Sequence, residues 1–161
     1  KAPLQALSAL HIVPMSISYE WDPCDAMKAN ELALSRTGKY EKAPGEDLAS
    51  VVTGIQGYKG KVHLAIGKPL SDSELQPADG EDLYEHVAHV LDRRIQSAYR
   101  LMPSNFAACD LLDGTTRYRA HYDAATVKRL HGRMEPLAGD ERRTLLLENY
   151  ANPVRMAEKN R

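Results

Sequence analysis

The chain has 161 residues, 43% apolar and 27% charged, a composition of globular rather than disordered or fibrous chains and a length that suits one compact core. Its 21 Lys and Arg stand against 22 Asp and Glu, split 8 to 10 up to residue 80 and 13 to 12 beyond, which leaves no basic field for nucleic acid. No run approaches the roughly 18 apolar residues of a membrane span, and no charged leader precedes an apolar core as in a signal peptide.

A soluble chain is therefore expected, and because it opens on Lys1, a processed, cut or incompletely recorded one. The two cysteines, Cys24 and Cys109, are far apart and fit reduced thiols better than a disulfide framework.

In residues 11–20, Val13, Met15, Ile17 and Tyr19 alternate with Pro14, Ser16, Ser18 and Glu20, the period of a strand with one greasy and one small, polar face. Pro14 has no N–H for a ladder and marks a strand start, an edge or a bulge. "WDPCD" then reads as a helix entry, with Asp22 as N-cap, Pro23 at the first position and Asp25 set against the helix dipole, for a helix over 23–35.

"RTGKYEKAPGED" reads as a loop. The helix after it carries Leu48, Val51, Val52 and Ile55 at i, i+3, i+4, i+7 and stops near Gly57. A second strand follows in "KGKVHLAIGKPL", with Val62, Leu64 and Ile66 on one face and His63 and Ala65 on the other. The helices between the strands suggest a parallel crossover. Residues 11–19 and 61–67 are expected to be neighbouring or near-neighbouring strands of one sheet.

Beyond "SDSELQPADG" every signal is helical. A long helix from Glu81 to Met102, closed by Pro103, is expected to bury Val87, Leu91, Ile95 and Ala98 and to leave Asp92 and Arg93 wet. Shorter helices are expected from Ser104 to Leu112, around Val127 to Leu137, from Asp140 to Tyr150, and from Asn152 and Pro153 onward.

Several residues invite chemical readings. His86 and His89 stand three apart on a helix and, with Glu85 or Asp92, could hold a metal, although a solvated helix flank has the same pattern. His121 and Asp123 could form a dyad, or Asp123 could simply cap the next helix.

Cys24 in a first helical turn could be a nucleophile with His63 as its base, against the plainer reading of a small filler. Cys109, within "FAACDLL", reads as core. Lys59 and Lys61 in "GYKGKVH" could meet a phosphate, or serve only turn geometry. The Ser16, Ser18, Glu20 face must meet solvent, a site or hydrogen-bonding partners.

Four stretches, "LHIVPMSISYEWDPCDAMKA", "KAPGEDLASVVTGIQGYKGKVHLAIGKPL", "AYRLMPSNFAACDLL" and "ENYANPVRMAEKNR", resemble the C-terminal half of bacterial glycerolipid acyltransferases, the lysophosphatidic acid acyltransferase superfamily. The resemblance extends over most of the chain. It implies transfer of a fatty acyl group from a thioester of coenzyme A or acyl carrier protein to a glycerol-phosphate or lysophospholipid hydroxyl.

The family's His-x-x-x-x-Asp base and its Glu-Gly-x-x-Arg acceptor motif are both absent. None of His11, His63, His86, His89, His121 and His131 has Asp five residues later, and no Glu-Gly pair occurs. What remains is the fourth block, "IVPMSIS", whose Ile12, Val13 and Pro14 correspond to a strand near the substrate pocket.

The expected fold class is accordingly α/β. Residues 1–70 would be the C-terminal part of an acyltransferase sheet, and residues 71–161 a helical extension packed on it. The resemblance implies substrate binding at Val13, Pro14, Ser16 and Ser18, no catalytic residue, no metal ligand and no cofactor beyond the acyl thioester. It implies no nucleic-acid partner, and a cytoplasmic protein held peripherally on the inner face of the cell membrane through the full-length chain. The rival expectation is a noncatalytic helical module that completes a partner's sheet.

Overall fold

The computed structural model describes residues 3–38 and 40–159. Lys1, on which the expectation of a processed chain rests, and Lys39 of the first loop lie outside the described residues.

The element order is α1 (Pro3–Ala9), β1 (Met15–Tyr19), α2 (Asp25–Thr37), α3 (Glu46–Gln56), β2 (Val62–Ile66), α4 (Asp72–Leu75), α5 (Leu83–Ala98), α6 (Pro103–Asp113), a 3-10 turn (Arg119–His121), α7 (Ala124–Met134) and α8 (Asp140–Lys159). The fold is mixed α/β and mostly helical, and β1 and β2 pair in a two-stranded sheet.

The strands are neighbours, as their matching faces required, but antiparallel. Gly67 N–H donates to Pro14 O at 2.9 Å and Leu70 N–H to Ile12 O at 2.8 Å, while Glu20 N–H donates to Lys61 O at 2.8 Å. Register numbers that fall on one strand as they rise on the other define an antiparallel ladder. The parallel crossover is thereby overturned: the connection carrying α2 and α3 re-enters beside the end of β1 that it left.

The chain divides into two compact units, residues 1–18 with 63–100, and residues 19–62 with 101–161. The units do not follow the change of composition at residue 70.

The first unit holds most of the ladder with α1, α4 and α5. Leu70, Leu75, Val87 and Val90 are its buried core, with Leu4, Leu7, Ile12, Leu83 and Leu91 packed against them. Asp82 caps α5 by accepting from the amides of Tyr84 and Glu85. The helix stops at Ala98, short of Met102, and Tyr99 is already extended.

Its inward face is turned from the expected one. Val87 and Val90 are buried, Leu91 and Ala98 are half-buried, and Ile95 is 37% exposed. Arg94, at helical spacing from Val87 and Val90, is partly exposed and pairs through Nε with the Glu74 carboxylate 3.1 Å away. Asp92 and Arg93 are exposed, as expected. Before α5, Ser71 and Glu74 cap α4 reciprocally.

The second unit is a helical pack of α2, α3, α6, α7 and α8. Ala107, Ala108 and Ala151 have no exposed surface, small residues that let α6 and α8 approach closely, and Leu130 and Leu146 fill the space beside them. The expected break at Asn152 and Pro153 does not occur: α8 runs through Pro153. Pro153 removes the N–H that would bond the carbonyl four residues back, at Asn149, and α6 ties the helix down beside that gap: Asn105 Nδ2 donates to Tyr150 O at 2.8 Å and the Cys109 thiol to Ala151 O at 3.5 Å.

At the turn into β2, Gly60 sits at φ +63°, and a Cβ there would lie 2.6 Å from the Trp21 ring and 2.5 Å from Glu20 Oε2. Only glycine meets both conditions.

Candidate functional site

The period of β1 sorts the four expected substrate-binding residues onto opposite faces. Pro14, Ser16 and Ser18 are buried, whereas Val13 is exposed together with Met15 and Ile17. They do not line one site. The open face of the ladder is continued by Leu64 and Ile66 of β2, 50% and 66% exposed.

On the covered face small side chains admit the C-terminal part of α5 and the segment after it. Ser18 Oγ accepts the Arg100 amide at 2.8 Å. Ser16 is 3% exposed, and its hydroxyl has no partner among the described residues. Glu20, the third member of this face, belongs to the second unit and uses Oε2 to accept the Lys61 amide at 2.9 Å.

Ser16 borders a cavity of about 250 Å³, lined also by Pro14, Met15, Gly67, Arg94 and Ile95. Arg94 lines it from α5. Its buried Nε lies 3.1 Å from Glu74 Oε1 yet makes no directed hydrogen bond. The Glu74 carboxyl is held below its usual range, chiefly because the Ser71 amide and hydroxyl donate to it and further because Arg94 is near.

The other sequence candidates are occupied structurally. His86 has both ring nitrogens engaged, Nδ1 with Glu81 at 3.0 Å and Nε2 with the Glu74 carbonyl at 2.9 Å. No group of three metal-ligating side chains forms among the described residues. Asp123 caps α7 by accepting the Thr126 amide and hydroxyl, each at 2.8 Å, while His121 stacks on Phe106 with ring centroids 4.3 Å apart.

Cys24 donates to Ser50 O at 3.5 Å, and His63 belongs to the other unit. Burial pushes the Cys109 thiol up to about 11, the reverse of a nucleophile's requirement. Lys59 Nζ donates to the carbonyls of Ile55 and Gly57 at the end of α3.

A polar network at the start of α2 has no local signal in the sequence. Asp25, 3% exposed, accepts on Oδ2 from Arg133 Nε and from the Tyr150 hydroxyl, and on Oδ1 from the Ala26 amide. Arg133 also donates to Asp22 O. Trp21 packs its edge on Tyr150 at 5.9 Å. Every member is satisfied, so the network reads as an anchor joining α2, α7 and α8.

No helix among the described residues is long and apolar enough to cross a membrane. No protein-family model, curated protein or solved structure matches the chain.

Proposed function

We propose that these residues form the C-terminal part of a glycerolipid O-acyltransferase, which moves a fatty acyl group from a coenzyme A or acyl carrier protein thioester to a glycerol-phosphate or lysophospholipid hydroxyl. The observation that carries the reading is the open apolar face of the ladder, Val13, Met15, Ile17, Leu64 and Ile66. A two-stranded sheet is marginal in water, and the sheets of α/β enzymes have both faces covered. The four stretches quoted above supply the family.

In this reading the missing layer and the His-x-x-x-x-Asp base come from residues beyond these 161. The base deprotonates the acceptor hydroxyl, the resulting oxygen attacks the thioester carbonyl, and the carrier thiolate leaves. Proton transfer of this kind supplies roughly 10² to 10⁴ in rate.

In this reading Val13, on the open face, is the member of the expected quartet that meets substrate. Pro14, Ser16 and Ser18 support it from behind. Membrane association in this reading is peripheral, on the cytoplasmic side.

A two-stranded ladder would equally serve a module that completes a partner's sheet by edge pairing, and one experiment separates the two. The native product is isolated, its mass and N-terminal sequence are determined, and it is assayed with acyl-CoA and lysophosphatidate or glycerol phosphate beside the 161-residue chain. The expected result is a longer product bearing the His-x-x-x-x-Asp motif that transfers acyl groups, and no turnover by the shorter chain. A native product without the motif, or turnover by the 161 residues alone, would overturn the proposal.

A further inference from the structure

The ring of His86 stands between two groups that accept hydrogen bonds. Nδ1 lies 3.0 Å from Glu81 Oε2, and Nε2 lies 2.9 Å from the Glu74 carbonyl oxygen. A neutral imidazole has one N–H and one lone pair, so either tautomer would set its lone pair against a carboxylate or a carbonyl. Only the imidazolium donates at both ends. The side chain is 18% exposed, which leaves little room for water to replace a lost partner.

The surroundings favour the charged ring. The Glu81 carboxyl is held below its usual range, first by the Ala78 amide and further by His86 and His89, so it accepts rather than donates. The Glu74 carbonyl lies at the end of α4, where carbonyls have no partner within the helix. The other charged groups on the elements that meet there are Asp72 and Glu74 of α4, the latter paired with Arg94, and Asp82, Glu85 and His89 at the start of α5. α1, which packs on α4, carries no charged side chain. Carboxylates predominate, and nearby opposite charge favours a cation.

We propose that His86 is a proton-dependent latch between α4 and α5: as the imidazolium it ties the end of α4 to the approach of α5, and loss of its proton opens one of the two bonds. Leu75, next in the chain to Glu74 and 1% exposed, packs in the core with Val87 and Val90, so the latch bears on how firmly α4 is seated. A cation that folding holds between two acceptors contributes stability that is fully present below the unfolded ring's value, about 6.5. That stability is lost as pH rises and the folded ring gives up its proton.

The test is nitrogen NMR of the histidine rings in the isotope-labelled chain, folded and unfolded in urea, from about pH 5.5 to 9. At about pH 7.5 both ring nitrogens of His86 should carry hydrogen in the folded chain, while the rings of the unfolded chain read neutral. The Leu75 amide, which shares a peptide plane with the Glu74 carbonyl, should shift with the same midpoint as the His86 ring. Glu81→Gln should move that midpoint to lower pH.

In urea unfolding, the fall in midpoint concentration between about pH 6 and 8.5 should be smaller in His86→Gln than in the parent. Should that variant misfold, the ring titration of the parent decides alone. A neutral His86 ring in the folded chain at about pH 7.5 overturns the proposal. So does a Leu75 amide that ignores the ring, or an equal fall with pH in His86→Gln.

Discussion

Tyr150 donates its hydroxyl hydrogen to Asp25 Oδ2 at 2.7 Å and with the same oxygen accepts the Asp22 amide at 2.9 Å. One phenol on α8 therefore closes the entry of α2. Burial, and then the charge of Asp25, push its ionisation far up, so it stays a neutral donor. Tyr150→Phe should destabilise the chain by about 1 to 3 kcal/mol, the cost of leaving a buried acceptor short of a donor. Asp25→Ala should cost about 3 to 5 kcal/mol because Arg133 loses its counter-charge in a half-buried place. Denaturant unfolding of both variants measures this, and equal small losses would mean that the network holds nothing together.

Asp110 predicts an acid transition. Burial alone would raise its carboxyl, but bonds from the Thr115 and Tyr122 hydroxyls and the Tyr118 amide outweigh that, and the group lies below its usual range. A depressed carboxyl contributes stability that is present above the unfolded value, near 4, and is lost as pH falls through the folded one. The slope of melting temperature against pH below about 4 should therefore be shallower in Asp110→Asn than in the parent. An identical slope would assign the acid sensitivity to other carboxylates, such as Glu74 or Asp123.

Cys109 is buried and its thiol is pushed up to about 11, whereas Cys24 is half-buried. Iodoacetamide at pH 8 should label Cys24 in the folded chain and reach Cys109 only after denaturation. Peptide mass spectrometry reads the order directly.

Gly60→Ala should destabilise by about 1 to 3 kcal/mol through backbone strain, with the contact at Trp21 and Glu20 adding to it. Gly80, at φ +83° but with nothing near its missing Cβ, is the control and should lose less. Thermal unfolding of the pair separates strain from collision.

Within the first unit, Leu75→Ala should cost about 2 to 5 kcal/mol, since Leu75 is 1% exposed. Ile95→Ala should cost less, because its side chain is partly in water. Reversed costs would restore the face of α5 that its sequence suggests.

The strands were legible because alternation from Val13 to Tyr19 and from Val62 to Ile66 is a local, period-2 signal. Their antiparallel sense was not, since the direction of pairing depends on where a connection returns. That α5 is a helix was legible from its apolar spacing, but its end at Ala98 instead of Met102 was not, nor was the pairing of Arg94 with Glu74, which an apolar count ignores. α4 carried a readable mark, Ser71 and Glu74 in capping-box spacing, that its Pro- and Gly-rich surroundings hid.

Pro153 was taken for a helix start because the rule is local, while the bonds that Asn105 and Cys109 send to neighbouring carbonyls come from α6. Asp25, Arg133 and Tyr150 meet only after the chain has folded, and no spacing rule reaches across the more than 100 residues that separate the first from the other two.

The division of the chain into residues 1–18 with 63–100 and 19–62 with 101–161 has a consequence for how the molecule is built and cut. Neither unit is a continuous stretch, so no single truncation yields one of them whole, and each must close a long loop before its two segments meet. Loop closure of this kind slows folding more than it weakens the folded state. A nick in the exposed stretch 41–44 would leave the two pieces held together by the ladder and by α2, and they should co-migrate until a denaturant parts them.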